Sequence, residues 1–137
     1  MKKLLKISQV CLNYKKTVLE AMKTINNKSL PFLIIVNNKN QLLGTITDGD
    51  IRRYILKGND LTENINSAMN RSPIFCYESE TVKHYKTLLS ISSVTKFLPI
   101  LNDDRKIKYI LLHETEDEDD IVLIMAGGFG KRLGNKK

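Results

Sequence analysis

Hydrophobic positions fall into short runs between polar turns, and the same order of runs occurs twice along the chain. Apolar runs at 10–12, 32–36 and 42–47 have the length of strands, and runs at 74–77, 97–101 and 106–112 follow them about 65 residues later. Two short stretches also align directly: Val10-Cys11-Leu12 with Phe75-Cys76-Tyr77, and Val36-Asn37 with Leu101-Asn102. An internal repeat of this kind predicts two copies of one small unit.

A helix is predicted after the first strand of each half. Thr17 stands three residues before Glu20, which is the spacing of a capping box. The residues that follow place three apolar side chains on one helical face, namely Val18, Met22 and Ile25. We therefore predict a helix over 17–26, with a counterpart over 81–91 in the second half.

A further helix is predicted directly after the third strand of the first half. It starts after Thr47, with Asp48 as its cap, and it ends at Gly58. Its predicted apolar face consists of Ile51, Tyr54 and Ile55. Turns between strands are indicated by the polar runs Asn37-Asn38-Lys39-Asn40 and Asp103-Asp104.

The predicted fold class is α/β (α+β), with two pseudo-symmetric β-α-β-β-α repeats. Each half has about 60 residues, which is marginal for a stable core, so we expect the two to pack as one module with a cleft between them. The predicted domains are 1–63, 64–115 and a short C-terminal tail at 116–137 that begins with an acidic linker. Clefts between repeats are common ligand sites.

Composition excludes several classes of function. The 137 residues include 22 Lys+Arg and 15 Asp+Glu, a net charge of +7, and 42% are hydrophobic, enough for a folded core. The longest apolar runs are far shorter than the ~20 residues that span a bilayer, so we expect no membrane partner. Lysine outnumbers arginine 17 to 5 and is scattered along the chain. The charge therefore does not predict a nucleic-acid partner.

Cysteine and histidine spacing indicates neither a metal site nor a disulfide. Cys11 and Cys76 each lie in a strand-like segment, which predicts two buried thiols in a reducing, cytoplasmic location. His84 and His113 lack ligand spacing to each other or to the cysteines, so no metal is predicted. Residues 1–120 also contain no acid/base or nucleophile–histidine pattern, so this chain by itself is not predicted to be an enzyme.

The junction between the third strand and its helix carries the most informative chemistry. Thr47 offers a hydroxyl and Asp50 a carboxylate, while Gly44 and Gly49 allow a backbone or a ligand to approach closely. A carboxylate can accept both hydroxyls of a ribose, and a helix start with a nearby arginine can hold phosphate. The same residues would also form a plain capping box with exposed arginines at 52 and 53. The chemistry alone leaves both interpretations open.

The spacing of Gly44, Thr47 and Asp50 resembles the signature of CBS domains, repeats of the cystathionine β-synthase type that occur as pairs called Bateman modules. The resemblance extends over residues 1 to about 115. It implies an adenosine nucleotide such as AMP or ATP as a non-covalent ligand, and a homodimer formed through the helices. The implied nucleotide-binding residues are Thr47, Asp50 and Arg53 for ribose and phosphate, and Leu30, Pro31 and Phe32 for the base.

The second half departs from this signature. At an offset of 65, Tyr109 stands in place of the glycine, Leu112 in place of the threonine, and Thr115 in place of the aspartate. We therefore expect at most one nucleotide site, formed by the first repeat.

The last residues carry a second resemblance. An apolar run at 121–125 leads into Ala126-Gly127-Gly128-Phe129-Gly130-Lys131-Arg132-Leu133, which is similar to the signature of sugar-phosphate nucleotidyltransferases. In that family the loop holds the nucleoside triphosphate, which implies triphosphate contacts for Gly127, Gly128, Gly130, Lys131 and Arg132. The longer string from Thr47 to Gly58 also looks like the CBS pairs fused ahead of such transferases.

Together these resemblances imply the regulatory part of a longer nucleotidyltransferase that activates a sugar phosphate. We expect the chain to be cut just after the first loop of its own C-terminal transferase domain, with Mg²⁺ required only in the missing part. The tail is then expected to fray, or to pair with the exposed strand edge of a neighbouring chain. The alternative is a dimerisation scaffold with a vestigial ligand site.

Overall fold

The computed structural model describes residues 7–28, 32–80, 83, 97–113, 121–125 and 131–133. The chain divides into a first unit of residues 10–73 and a second unit that comprises residues 1–9 and 74–137. The boundary between the repeats was predicted at 63/64. In the structure, residues 64–73 fall within the first unit, where the Ile65 N–H donates to the Lys16 carbonyl and Asn70 exchanges two backbone hydrogen bonds with Thr45.

The first unit is built on a three-stranded sheet in the order β1-β2-β3. These strands are Cys11–Asn13, Phe32–Val36 and Leu42–Thr47, so the three predicted strands are confirmed to within one residue. The central strand β2 runs parallel to β1 and antiparallel to β3. Each of its five residues is buried, which is typical of a strand covered on both faces. The core of the unit is centred on this strand.

Helix α2 (Val18–Lys28) follows the strand β1, which is itself preceded by the short helix α1 (Ile7–Val10). The predicted capping box at the start of α2 is confirmed. The Thr17 N–H donates to Glu20 Oε1 at 3.1 Å, and the Glu20 N–H donates to Thr17 Oγ1 at 3.2 Å. The hydrogen bond from the Thr17 backbone lowers the pKa of the Glu20 carboxyl.

The segment 61–65 also holds the start of α2, a contact that the sequence did not predict. The N–H groups of Val18 and Leu19 have no partner within the helix. They donate to the carbonyl oxygens of Glu63 and Leu61, at 3.0 and 2.9 Å. Ile65 is fully buried and starts a short 3₁₀ turn that runs to Ser67. The connection between the repeats is therefore an integral part of the first unit.

Helix α3 (Asp48–Leu56) follows β3 directly. The prediction that Asp48 caps it was wrong: Thr47 is the N-cap, because its backbone is extended and its hydroxyl accepts the N–H of Asp50. Gly58 adopts φ +83°, the left-handed conformation expected just beyond a helix end.

The predicted apolar face of α3 is only partly correct. Ile51 and Tyr54 are buried, whereas the side chain of Ile55 is 42% exposed. Ile55 follows Tyr54 directly and is rotated about 100° away from it around the helix axis. That rotation turns Ile55 away from the face that Ile51 and Tyr54 bury.

The second unit contains a five-stranded sheet in the order β4-β5-β6-β7-β8. Its first three strands, Cys76–Tyr77, Phe97–Leu101 and Ile107–His113, reproduce the β1-β2-β3 arrangement. Ile100 pairs with Tyr109, just as Ile35 pairs with Gly44 at positions 65 residues earlier. Strand pairing thus confirms the repeat. Apart from Lys83, which is helical, the predicted helix over 81–91 lies outside the described residues.

Two further strands come from the C-terminal tail. Strand β7 (Ile121–Met125) pairs antiparallel with β6, and β8 (Lys131–Leu133) pairs antiparallel with β7. The expectation that the tail frays, or pairs with a neighbouring chain, was wrong for residues 121–125 and 131–133. The strand β7 satisfies backbone groups that β6 would otherwise expose at the sheet edge, so pairing within the chain is favourable.

Candidate functional site

The junction of β3 and α3 brings Thr47 and Asp50 together in a closed capping box. Asp50 Oδ2 accepts the Thr47 backbone N–H at 2.9 Å, and Thr47 Oγ1 accepts the Asp50 backbone N–H at 3.1 Å. Thr47 and Asp50 therefore form the capping box that the sequence allowed. The box also fixes a hydroxyl and a carboxylate at the same helix start, which is the arrangement that the nucleotide interpretation requires.

Two arginines stand on the next turn, and each is paired with an aspartate of α3. Arg53 Nη2 donates to Asp50 Oδ1 at 2.6 Å, and Arg52 pairs with Asp48. The Asp50 side chain is 18% exposed, while that of Arg53 is 67% exposed. Exposed ion pairs contribute at most about 1 kcal/mol, so these contacts can rearrange at little cost when a ligand arrives.

The site retains hydrogen-bonding capacity for a ligand. A carboxylate provides about four acceptor positions, and two of those on Asp50 are occupied. The Thr47 hydroxyl accepts the Asp50 N–H, and a hydroxyl can also donate its own proton. The guanidinium of Arg53 presents several N–H donors beyond the one on Asp50. Carboxylate, hydroxyl and cation together suit a sugar phosphate of the nucleotide type.

A groove of about 390 Å³ lies beside this helix start, between α2 and α3. Among the described residues, the groove is lined by apolar side chains, two amides, an ammonium group and a carboxylate, namely Met22, Ile25, Asn26, Asn27, Lys23 and Asp48. Sequence reasoning missed it. The polar run that starts at Asn26 was interpreted only as the end of a helix, although adjacent amides beside apolar positions are also a recognition surface.

Gly44 has a structural role within the motif. A Cβ at this position would lie 2.6 Å from the carbonyl oxygen of Asn70 and 2.9 Å from Met69 Sδ. Beside it, Thr45 and Asn70 exchange two backbone hydrogen bonds, at 3.0 and 2.7 Å. The close approach that Gly44 was expected to allow is therefore made by the backbone of Asn70. Gly49 is less constrained, since its nearest neighbour is the end of the Arg53 side chain at 3.3 Å.

The remaining predicted site residues are distributed as follows. Phe32 is buried and pairs with Thr47 across β2 and β3, so it lies next to the capping box. Leu30 and Pro31 lie outside the described residues, as do Gly127, Gly128 and Gly130. Lys131 and Arg132 pair with Leu123 and Val122 in the tail hairpin.

The two cysteines are poor nucleophiles in the folded chain. Cys76 is buried as predicted, whereas Cys11 as a whole residue is partly exposed. Burial nevertheless raises the pKa of each thiol from 9.0 to about 12. Among the described residues, no group of three His, Cys, Asp or Glu side chains is placed to hold a metal ion.

The raised thiol pKa predicts slow alkylation. At pH 8 the thiolate fraction should be roughly a thousandfold below that of a free cysteine, because only the thiolate reacts. Iodoacetamide should therefore modify the native chain far more slowly than the same chain in urea, as followed by mass spectrometry. Equal rates in the two conditions would contradict this assignment.

Comparison with known proteins identifies the fold. Residues 6–57 match the CBS domain family. A CBS domain protein from Pyrobaculum aerophilum, solved in complex with AMP, matches with a TM-score of 0.65 at 15% identity, covering 82% of each chain. The CBS domain pair of protein MJ0100, solved with 5′-methylthioadenosine and S-adenosyl-L-methionine, matches with a TM-score of 0.63 at 24% identity, covering 75% of this chain and 83% of that one. The match to the family model is confined to residues 6–57, and the chain as a whole shares the fold of these solved CBS-domain structures.

Curated relatives are longer than this chain. A protein of Helicobacter pylori (strain J99) is 38% identical over 69 residues, covering 50% of this chain and 16% of the relative. Arabinose 5-phosphate isomerase GutQ of Escherichia coli (strain K12) is 27% identical over 101 residues, covering 74% of this chain and 30% of the isomerase. The chain thus spans less than a third of the curated relatives that it matches. Among the described residues, no helix is long and apolar enough to cross a membrane.

Proposed function

We propose that this chain is a regulatory module that senses an adenosine nucleotide through a site in its first repeat. The observation that carries the proposal is the junction of β3 and α3, where Thr47, Asp50 and Arg53 converge within hydrogen-bonding distance. Two solved CBS-domain structures of the same fold were determined with adenosine ligands, which supports this ligand class.

In the proposed complex, Asp50 accepts the ribose hydroxyls, and Thr47 and Arg53 donate to the phosphate. Phe32, together with Leu30 and Pro31, lines the base pocket. The nucleotide would stabilise the folded chain because only the folded state assembles these groups.

We further propose that the module regulates a nucleotidyltransferase that activates a sugar phosphate in the cytoplasm. The glycine-rich motif at 126–133 supports a transferase that follows the module on the same polypeptide. In that domain the motif would contact the triphosphate, and Mg²⁺ would act there and not in the module. The match to an enzyme named as an arabinose 5-phosphate isomerase supports an association with sugar-phosphate chemistry.

The direct test is thermal unfolding in the presence of AMP, ADP, ATP, GTP, CTP and CMP. A ligand at 100 times its dissociation constant stabilises by about 2.7 kcal/mol, which raises the melting temperature of a domain of this size by several degrees. A shift with at least one adenosine nucleotide is expected. A shift confined to guanosine or cytidine nucleotides would contradict the ligand class.

Asp50→Ala should abolish the nucleotide response, and Glu20→Ala provides a matched control. Each substitution removes the N3 acceptor of one capping box, a hydrogen bond whose net contribution to stability is roughly 0.5–1.5 kcal/mol. Only Asp50 belongs to the proposed site, so only Asp50→Ala should lose the nucleotide-induced rise in melting temperature. A full response in Asp50→Ala would refute the site assignment.

The second candidate function is a dimerisation scaffold, with the helices of the repeats forming a homodimer. Two observations favour it: Asp50 is already engaged by Thr47 and Arg53, and the second repeat has Tyr109 where the first has Gly44. In this case no nucleotide should change the melting temperature. Sedimentation should then show a dimer whose stability does not depend on Asp50.

A further inference from the structure

Arg53 occupies one oxygen of the carboxylate that the proposed ligand would use. Its Nη2 lies 2.6 Å from Asp50 Oδ1, while the Thr47 N–H holds Oδ2. Both oxygens of Asp50 thus have a donor before any ligand binds. A ribose hydroxyl that approaches Asp50 must share the carboxylate with a cation.

This arrangement affects phosphorylated and unphosphorylated ligands differently. A nucleoside offers only neutral hydroxyls, which share the Asp50 carboxylate with Arg53 and give the guanidinium no charged acceptor. A nucleoside 5′-phosphate brings an acceptor for the N–H donors that Arg53 still presents to solvent. The guanidinium can then bridge the carboxylate and the phosphate as a planar fork.

We propose that Arg53 makes the site selective for 5′-phosphorylated nucleosides over nucleosides without a phosphate. The inference rests on the proposed function, since it assumes a nucleotide at Thr47 and Asp50. Residues within the site must select between phosphorylated and unphosphorylated ligands, because proteins of this fold bind both. One neighbour was solved with AMP, and another with 5′-methylthioadenosine and S-adenosyl-L-methionine, which carry no phosphate.

Arg52 provides a matched control on the same helix turn. Its side chain is 66% exposed, against 67% for Arg53, and it is likewise paired with an aspartate. The two arginines contribute equally to the local positive charge. They differ in their partner, because Arg52 contacts Asp48 and only Arg53 contacts Asp50.

The test measures by calorimetry the affinities of AMP, adenosine and 5′-methylthioadenosine for the wild-type chain and for Arg53→Met, Arg53→Lys and Arg52→Met. Arg53→Met removes the charge-assisted hydrogen bonds from the guanidinium to the phosphate. We expect the AMP-to-adenosine affinity ratio to fall by about 10- to 100-fold in Arg53→Met. Arg52→Met should change the ratio by less than about threefold, and Arg53→Lys should give an intermediate ratio.

Two outcomes would overturn the inference while leaving the proposed function intact. Equal loss of the ratio in Arg53→Met and Arg52→Met would mean that general charge, and not the contact with Asp50, selects the ligand. An unchanged ratio in Arg53→Met would mean that Arg53 does not contact the phosphate. Absence of binding of every ligand to the wild-type chain would instead refute the proposed function itself. Melting temperatures of the variants establish that each is folded.

Discussion

Replacing Gly44 by alanine is expected to destabilise the first unit by about 2–6 kcal/mol. The new Cβ would lie 2.6 Å from the Asn70 carbonyl oxygen, a distance at which backbone must move. Overpacking of this kind typically costs 1–3 kcal/mol. Displacing Asn70 would also break its two backbone hydrogen bonds with Thr45, each with a net contribution of roughly 0.5–1.5 kcal/mol.

Gly49→Ala is the control, because it adds the same methyl group at the other glycine of the motif, within helix α3 and next to Asp50. Its nearest neighbour is the flexible end of Arg53, and alanine favours a helix over glycine by up to about 1 kcal/mol. Urea denaturation followed by circular dichroism should show opposite signs for the two variants. If Gly44→Ala is as stable as the wild-type chain, Asn70 does not pack against β3 as described.

Ile34→Ala should have the other large effect, a loss of about 2–5 kcal/mol. Ile34 is fully buried in the central strand, where it is paired with both β1 and β3. Neighbours on both sides restrict the collapse of the cavity that truncation leaves, and unrelaxed cavities are the more costly ones.

The matched control for Ile34 is Ile55→Ala, which removes the same atoms from the exposed flank of α3. With 42% of Ile55 exposed, less apolar surface is lost from the core, and we expect a cost below about 1 kcal/mol. Both values come from the midpoint and slope of urea unfolding curves. Similar losses of unfolding free energy for the two variants would show that Ile55 is buried, as the helical periodicity predicts. A second copy of the chain could cover the side chain in that case.

Local sequence signals predicted most of the first unit correctly. Strand β2 was recognised from its run of β-branched residues, and the capping box of α2 from the spacing of Thr17 and Glu20. Gly58 was recognised as a helix end. These features depend on residues within a few positions of one another, so a short window of sequence contains the whole physical cause.

Two of the missed features are contacts between residues that are far apart in sequence. Segment 61–65 binds the start of α2, and β7 joins the edge of β6, yet neither pairing has a local signature. The Thr47 cap was assigned to its neighbour because threonine and aspartate are both good N-caps, and only backbone conformation separates them. The spacing of the motif correctly predicted that Thr47 and Asp50 lie together. It could not show that Arg53 already occupies the carboxylate.

The binding of segment 61–65 to α2 sets the smallest piece of this chain that can fold as one repeat. A fragment that stops at residue 63 would lack Ile65 and the Asn64 side chain, whose amide donates to the Tyr14 carbonyl at 3.1 Å. A fragment that continues through Pro73 retains both, together with the Asn70 backbone on β3. Excised repeats and chimaeras should therefore be joined after residue 73, and insertions are best tolerated at the exposed positions 57–60.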